Sequence, residues 1–139
     1  MGQEDGENCG PCVVLMTLAH FDKPMRFFFA GDKGTSSRKI LNRFRKAGLE
    51  AKPKIISIRN LFKEEWSVLW YPPRGKKRKR GNHYVIFVRA ENGKYLIYDS
   101  AEKEPLWLEE SELKKKWYRW YHGRWCGWVI EVKKPNGKS

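Results

Sequence analysis

Two apolar strands and the turn between them make up residues 83–99, which read HYVIFVRAENGKYLIYD. Both flanks of the central Asn92-Gly93 pair are rich in β-branched and aromatic residues, and Asn-Gly is a strong hairpin signal. A histidine opens the first strand and an aspartate ends the second. The stretch therefore predicts an antiparallel hairpin with His83 and Asp99 at its open end.

The length of the hairpin loop decides whether His83 and Asp99 can meet. A two-residue turn would set Asp99 opposite Ile86, and side-chain alternation would then point His83 to the other face. A three-residue loop over 91–93, with its glycine in the left-handed region, or a bulge nearby, sets Asp99 opposite Val85 instead. His83 then becomes a same-face neighbour, about 7–8 Å away by backbone. A His–Asp pair requires this second register.

Residues 8–20, NCGPCVVLMTLAH, predict a helix that is apolar nearly all round and therefore buried. Asn8 is a good N-cap, and Pro11 is tolerated in a first turn. Cys9 falls at the N-terminus of this helix, where the helix dipole favours a thiolate. Gln3, the sole glutamine of the chain, precedes that cysteine by six residues.

Four residues supply the groups that a cysteine nucleophile needs: Gln3, Cys9, His83 and Asp99. A thiol needs a base to take its proton, the base needs a group to orient its ring, and the oxyanion needs a donor. Each residue also has an ordinary explanation. A cysteine is often simply buried, a histidine can sit at a strand edge, an aspartate can cap a turn, and a residue near a terminus can be disordered.

The spacings Gln-x5-Cys-Gly and His-x15-Asp, carried by Gln3, Cys9-Gly10, His83 and Asp99, resemble those of a known family. It comprises the papain-like cysteine peptidases that remove double-glycine leader peptides from bacteriocins and related peptides. The chain departs from their usual pattern at Asn8, where an acidic residue is common, and at Ser100, where proline is frequent.

The resemblance implies an α+β papain-like fold with a buried N-terminal helix packed on an antiparallel sheet. It further implies that Cys9 is the nucleophile, that His83 shuttles the proton, that Asp99 orients the imidazole and that Gln3 helps to hold the oxyanion. The substrate would be a peptide or protein, with no cofactor and no metal. Family members are commonly joined to an export transporter. Because this sequence carries no membrane or ATPase part, a stand-alone domain acting beside a separate export transporter is expected here.

Two other uses of the cysteines compete with the peptidase interpretation. Cys9-Gly10-Pro11-Cys12 has the spacing of a thiol–disulfide motif, although too few residues precede it for the strand that normally comes first. Cys9, Cys12, His122 and Cys126 are zinc-ligand types, but the two halves of this set lie far apart in the sequence.

The charge is strongly positive, since 29 Lys and Arg against 16 Asp and Glu give +13. Such a field attracts nucleic acid, acidic peptides or anionic membranes. Five consecutive cations end shortly before His83: Lys76, Lys77, Arg78, Lys79 and Arg80. This run is either a solvated loop or a contact for an acidic peptide or nucleic acid. A basic nucleic-acid-binding protein on a catalytically silent fold is therefore the second hypothesis for function.

A chain of 139 residues predicts one domain, placed at 1–132, with a flexible basic tail at 133–139. No apolar run approaches the ~18 residues that span a bilayer, and the N-terminus does not resemble a signal peptide. Three cysteines, an odd number, do not suggest a disulfide framework. These features predict a cytoplasmic location, where a free thiol survives.

The rest of the chain predicts further helices and strands. Residues 38–47 show helical periodicity that ends before Gly48, Ser57 is expected to cap a short helix, and 68–71 reads as a strand. Near the C-terminus, Leu113, Trp117 and Trp120 are expected on one face of a helix, and 128–132 is expected to form the last strand. Most of the tryptophans of this region are expected in the core.

Overall fold

An antiparallel sheet with helices on both faces forms the structure, a computed structural model that describes residues 9–21, 37–72, 83–100, 102 and 104–134. The helices are α1 (Cys9–His20), α2 (Ser37–Lys46), α3 (Ile58–Leu61) and α4 (Glu110–Trp117). The strands are β1 (Glu50–Ile56), β2 (Ser67–Tyr71), β3 (His83–Glu91), β4 (Lys94–Tyr98), β5 (Leu106–Glu109), β6 (Arg119–Tyr121) and β7 (Arg124–Lys133). Within the described residues the strand order is β1-β7-β2-β3-β4-β5, and β6 pairs with the start of β7. The expected α+β fold, with a helix on an antiparallel sheet, is confirmed.

Alternation along the strands divides the core between the two faces of the sheet. The face covered by α1 and α2, here called the α1 face, buries Val13, Val14, Leu18, Ile40, Phe44, Val68, Tyr84, Ile86, Ile130 and Val132. The opposite α4 face, covered by α3 and α4, buries Ile58, Leu61, Leu69, Tyr71, Val85, Phe87, Tyr95, Ile97, Leu113, Trp117 and Val129. The central strands are therefore apolar on both sides, which explains the continuous apolar run at 83–88.

The β3–β4 hairpin reaches the register that a His–Asp pair requires, but by a different route from the three-residue loop. The turn is a two-residue one, since Glu91 pairs with Lys94 and both Asn92 (φ 53°) and Gly93 (φ 77°) are left-handed. The three-residue loop was therefore wrong. The ladder instead shifts at Val88, since Phe87 pairs with Ile97 and Arg89 with Leu96. This β-bulge restores the needed parity.

Strand β1 lies at one edge of the sheet and was missed in the sequence. It reads EAKPKII, and its lysines and Pro53 break the apolar alternation by which strands are recognised. Proline and lysine are typical of edge strands, because an edge leaves backbone groups unpaired and exposed to association. Next to it, Gly48 ends α2 with φ 87°, as the sequence predicts.

The C-terminal region differs from the sequence-based expectation around Trp120. Leu113 and Trp117 are buried on α4 as predicted, but Trp120 lies in β6 and is 59% exposed. Strand β7 begins at Arg124 rather than at residue 128, because its first residues pair with β6 in a second hairpin. The expectation that most tryptophans here are core was wrong, since Trp107, Trp120 and Trp125 are exposed.

Trp117 fixes α4 to β7 through two interactions. Its indole is fully buried, and Nε1 donates a 2.9 Å hydrogen bond to the carbonyl oxygen of Trp128. The ring lies directly over Gly127, so a β-carbon at that position would overlap three atoms of the indole. The ring needs this glycine because a buried side chain has no room to move aside.

We expect Gly127→Ala to destabilise the protein by about 1–3 kcal/mol, because the added methyl overpacks a rigid ring. Urea denaturation measures the change in the free energy of unfolding. Trp117→Phe is the control, since it makes room next to residue 127 while leaving a cavity of its own. The double variant should lose less unfolding free energy than the sum of the losses in the two single variants. Strict additivity would show that the indole does not exclude a side chain at 127.

Candidate active site

His83 and Asp99 lie together at the open end of the β3–β4 hairpin. Nε2 of His83 is 3.0 Å from Oδ1 of Asp99, and both side chains are partly buried, with exposures of 28% and 16%. Ile86 pairs with Tyr98, so the next step of the ladder sets Asp99 opposite Val85. The His–Asp contact is thus a direct product of the bulge at Val88. A carboxylate within hydrogen-bond distance of one ring nitrogen fixes the tautomer and orientation of the imidazole.

Tyr71 forms the side of this pair that faces the core. It pairs with His83 across β2 and β3, and the two rings are 5.8 Å apart with a 49° tilt. The phenol is buried, with 8% exposure, and its Oη has no hydrogen-bond partner among the described residues. Burial first, and then the negative charge of Asp99, raise the pKa of Tyr71 above its ordinary value. Tyr71 therefore stays neutral and supplies an apolar wall behind the imidazole.

The direction of α1 brings its N-terminus toward His83. The C-terminal part of α1 is held by Trp66, whose Nε1 donates to Oγ1 of Thr17 at 2.9 Å and whose ring stacks on His20 at 3.8 Å. The backbone of Trp66 in turn donates to the carbonyl of Val88, far from the start of β3. Val13 and Val14 belong to the same buried cluster as Tyr84 and Ile86 of β3. Because α1 contacts β3 and its C-terminal part is held near Val88, we infer that α1 runs along β3 in the same direction. Its first residue, Cys9, consequently lies toward the end of the sheet that carries His83.

A cavity of about 290 Å³ joins α1 to the acidic side of the pair. Met16 contributes the wall from α1, and Asp99 contributes part of the opposite wall. The remaining lining residues are Tyr98, Ser100, Glu102, Glu104 and Pro105. The cavity shows that α1 and the Asp99 end of β4 are close neighbours.

The structure describes some of the predicted site residues and not others. His83 and Asp99 come together, and Cys9 opens α1 as expected, but the Cys9 side chain lies outside the described part of the chain. Gln3 and the basic run 76–80 also lie outside the described residues. Sequence reasoning missed Tyr71. The signal available for it was its position at the end of a strand that could pair with His83.

Within the described ranges, no three His, Cys, Asp or Glu side chains come together as a metal ion would require. Cys126 is buried in the β6–β7 hairpin, and His122 lies in its turn. None of the described helices combines the length and the apolar character that crossing a bilayer demands.

A family model for the peptidase C39 family matches residues 1–121 of the chain. The chain belongs to the peptidase C39 family. It is accordingly a cysteine peptidase, a hydrolase, and the resemblance to bacteriocin-processing peptidases is confirmed. Among curated protein sequences, none matches the chain.

Solved peptidase domains share the C39 fold seen here. The peptidase domain of Streptococcus ComA, a bi-functional ABC transporter of a quorum sensing pathway, superposes with a TM-score of 0.74 at 18% identity, covering 96% of each chain. A double glycine motif protease from an AMS/PCAT transporter, solved with its leader peptide, gives 0.69 at 19% identity over 96% of this chain and 89% of its own. The peptidase C39 like domain of a toxin secretion ATP-binding protein from Vibrio parahaemolyticus gives 0.59 at 11%, over 89% and 96%. These identities establish the common fold.

Two substitutions of Tyr71 distinguish the contribution of its ring to stability from that of its hydroxyl. We expect Tyr71→Phe to leave the free energy of unfolding unchanged within about 1 kcal/mol or to raise it, because the lost hydroxyl is buried without a partner. Tyr71→Leu should cost about 1–3 kcal/mol through lost packing against His83 and the core. Urea denaturation at pH 7 checks both, and equal losses in the two variants would contradict this division.

A comparison of the wild type with Tyr71→Phe tests the raised pKa of the Tyr71 phenol. Above pH 10 the unfolded chain releases the Tyr71 proton while the folded chain retains it, so stability falls as pH rises. The fall should be smaller in Tyr71→Phe, which has no phenol to ionise. Parallel alkaline profiles of the wild type and Tyr71→Phe would overturn the expected shift.

Proposed function

We propose that this C39 peptidase uses Cys9 as nucleophile, His83 as proton shuttle, Asp99 as the group that orients the imidazole, and Gln3 as oxyanion donor. The observation that carries the proposal is the 3.0 Å contact between His83 Nε2 and Asp99 Oδ1, at the end of the sheet toward which the N-terminus of α1 lies. A carboxylate on one ring nitrogen fixes the tautomer, and in this proposal Nδ1 is the nitrogen that accepts the thiol proton. The position of Cys9 in the first turn of α1 adds the helix dipole as a second stabiliser of the thiolate.

The reaction follows from these roles. The Cys9 thiol passes its proton to His83, and the thiolate forms a bond to the scissile carbonyl carbon. The amide of Gln3 and the backbone N–H of Cys9 donate to the oxyanion. The C–N bond breaks as His83 gives its proton to the leaving amine, and a thioester remains on Cys9. Water, deprotonated by His83, then attacks the thioester, releases the acid and restores the thiol.

The substrate we propose is a peptide cleaved after a double glycine. Support comes from the AMS/PCAT neighbour, which is a double glycine motif protease bound to a leader peptide. Two glycines carry no β-carbons, so such a segment can approach the His83–Asp99 end of the sheet closely in an extended form. We further propose that the enzyme works in the cytoplasm, where its thiol stays reduced, together with an export transporter that receives the product.

A peptide containing a double glycine, incubated with the enzyme and followed by mass spectrometry, tests the proposal. Cys9→Ala should lower kcat/KM by about 10³-fold or more, and Asp99→Asn by roughly 10²–10⁴-fold through loss of the oriented tautomer. His83→Ala should also lower kcat/KM, because it removes the proposed proton shuttle. Its control is His122→Asn, which replaces another histidine, in a turn with φ 44° that asparagine also tolerates. The control should retain wild-type activity. Activity that survives Cys9→Ala would exclude this nucleophile.

Thiol labelling distinguishes Cys9 from the other cysteines without a substrate. Iodoacetamide should alkylate Cys9 well below pH 8, because a cysteine at a helix N-terminus beside a histidine has a lowered pKa. His83→Ala should slow the reaction, and the buried Cys126 serves as an internal reference in the same digest. Equal labelling at both positions, unaffected by His83→Ala, would contradict the dyad.

We also propose that the basic run 76–80 attracts acidic peptide substrates toward the nearby His83. Changing Lys76, Lys77, Arg78, Lys79 and Arg80 together to glutamine should lower kcat/KM for an acidic peptide and reduce the salt dependence of that rate. A neutral peptide of the same length is the control and should be cleaved at an unchanged rate. If the variant instead loses affinity for an RNA oligonucleotide while peptide cleavage is unaffected, the run binds phosphates rather than substrate.

A further inference from the structure

The β6–β7 hairpin presents two exposed tryptophans side by side. Trp120 and Trp125 pair directly across the hairpin, so both side chains leave it on the same face. They are 59% and 56% exposed, and their rings pack edge-to-face at 5.5 Å with a 72° angle. The turn is the two-residue His122–Gly123, with φ values of 44° and 91°. A tight turn of this kind holds the two indoles in a fixed arrangement.

The charge around this pair has one sign. Between Glu112 and Glu131 the sequence contains no acidic residue, and its cations are Lys114, Lys115, Lys116, Arg119 and Arg124. Arg124 is exposed and follows the turn directly before Trp125, and strand alternation points it to the opposite face of the hairpin. Arg119, on that same opposite face, lies over the ring of Trp70 at 5.2 Å, which ties the base of the hairpin to β2. The chain on either side of the aromatic pair therefore carries positive charge, of which Lys114 is paired with Glu110 at 2.8 Å. This hairpin with its flanking cations is here called the Trp–Arg hairpin (residues 114–125).

The hairpin extends from the end of the sheet that carries His83. Tyr71 pairs with His83, and Leu69 pairs with Val129, so the ladder sets Gly127 at the level of Tyr71. Trp125 lies two residues further along β7, about 7 Å beyond that level. One strand, β2, separates β7 from β3, which is about 10 Å across the sheet. A surface that holds the two indoles would thus hold the His83 end of the sheet close to it.

We propose that the Trp–Arg hairpin docks the enzyme on an anionic lipid surface. An indole has an apolar body and a polar N–H, and it settles at the boundary between headgroups and acyl chains. Two indoles on one face enter that boundary together, while the flanking cations pair with anionic headgroups. The net charge of +13 favours such a surface over a neutral one.

The geometry of the indole pair favours lipid over nucleic acid. Bases stack on open ring faces that lie parallel to the base planes. Here the rings meet edge-to-face, so one indole covers part of a face of the other. Insertion into a lipid interface makes no such demand, because it depends on apolar area and charge rather than on ring orientation.

Vesicle binding tests the proposal on the whole chain. We expect the protein to co-sediment with phosphatidylcholine vesicles that contain phosphatidylglycerol, and to bind pure phosphatidylcholine vesicles more weakly. Trp120→Ala/Trp125→Ala should lower the partition coefficient roughly tenfold or more through lost apolar area. Arg124→Gln should lower it about fivefold, the usual effect of one cation at an anionic surface.

Phe62→Ala/Trp107→Ala is the matched control, because it also removes two exposed aromatic rings, which belong to other elements. Its partition coefficient should stay within about twofold of the wild type if the Trp–Arg hairpin is the contact. Equal losses in the two double variants, or no binding to anionic vesicles at low salt, would overturn the proposal. So would an RNA oligonucleotide whose binding depends on Trp120 and Trp125 while vesicle binding does not.

A conservative variant covers the case in which the alanine variant is poorly folded. Trp120→Phe/Trp125→Phe keeps two aromatic rings in the hairpin, so vesicle binding should persist. Brominated phospholipids should quench the tryptophan fluorescence of the wild type, and this quenching should be lost in the phenylalanine variant. Quenching that persists in it would place another tryptophan in the lipid and refute the assignment. Each of these readouts is independent of peptidase activity.

Discussion

The single extra residue in β3 is the constraint on which the site depends. Val88 has no partner in the β3–β4 ladder, so residues before it face the opposite way from the register that the turn alone would impose. This shift lets Val85 and Phe87 enter the α4 face of the core and sets Asp99 beside His83. Burial of those apolar residues therefore holds the register that the His–Asp contact needs. The same packing that stabilises the sheet brings His83 and Asp99 together.

A second constraint acts through Trp66, which links α1 to the sheet. Its indole N–H bonds Thr17, its ring stacks on His20, and its backbone bonds Val88 next to the bulge. Trp66 thus fixes the position of α1 along its axis relative to Val88, the residue at which the hairpin register shifts. A helix fixed in this way carries its first residue, Cys9, at a defined height along β3. The proposed nucleophile, Cys9, and the proposed base, His83, are both positioned through the contacts of Trp66.

Much of the fold and of the site could be predicted because the signals are local. The apolar helix at Cys9 and the two strands that carry His83 and Asp99 depend on short-range pattern, and they form where the sequence places them. The bulge could not be located, because nothing in the sequence marks Val88 and Asn-Gly correctly specified a two-residue turn of the opposite parity. Only long-range burial decides between the registers.

The errors near the C-terminus have a related cause. Trp120 falls at helical spacing from Trp117, so periodicity extended the helix through a segment that instead pairs with β7. In β1, lysine and proline hid a strand that the neighbouring β7 stabilises from one side. Tertiary partners overrode the local pattern in both places.

The position of β7 affects how the chain folds during synthesis. This strand comes from residues 124–133, yet it lies between β1 and β2 in the sheet. The β3–β4 hairpin is local and can close early, but β1 has no described neighbour other than β7. Strand β1 therefore stays unpaired until residues 124–133, which form β7, have emerged from the ribosome. A nascent molecule stays without a finished core for most of its translation, and so it depends on the lysines and proline of β1 to resist pairing with other chains.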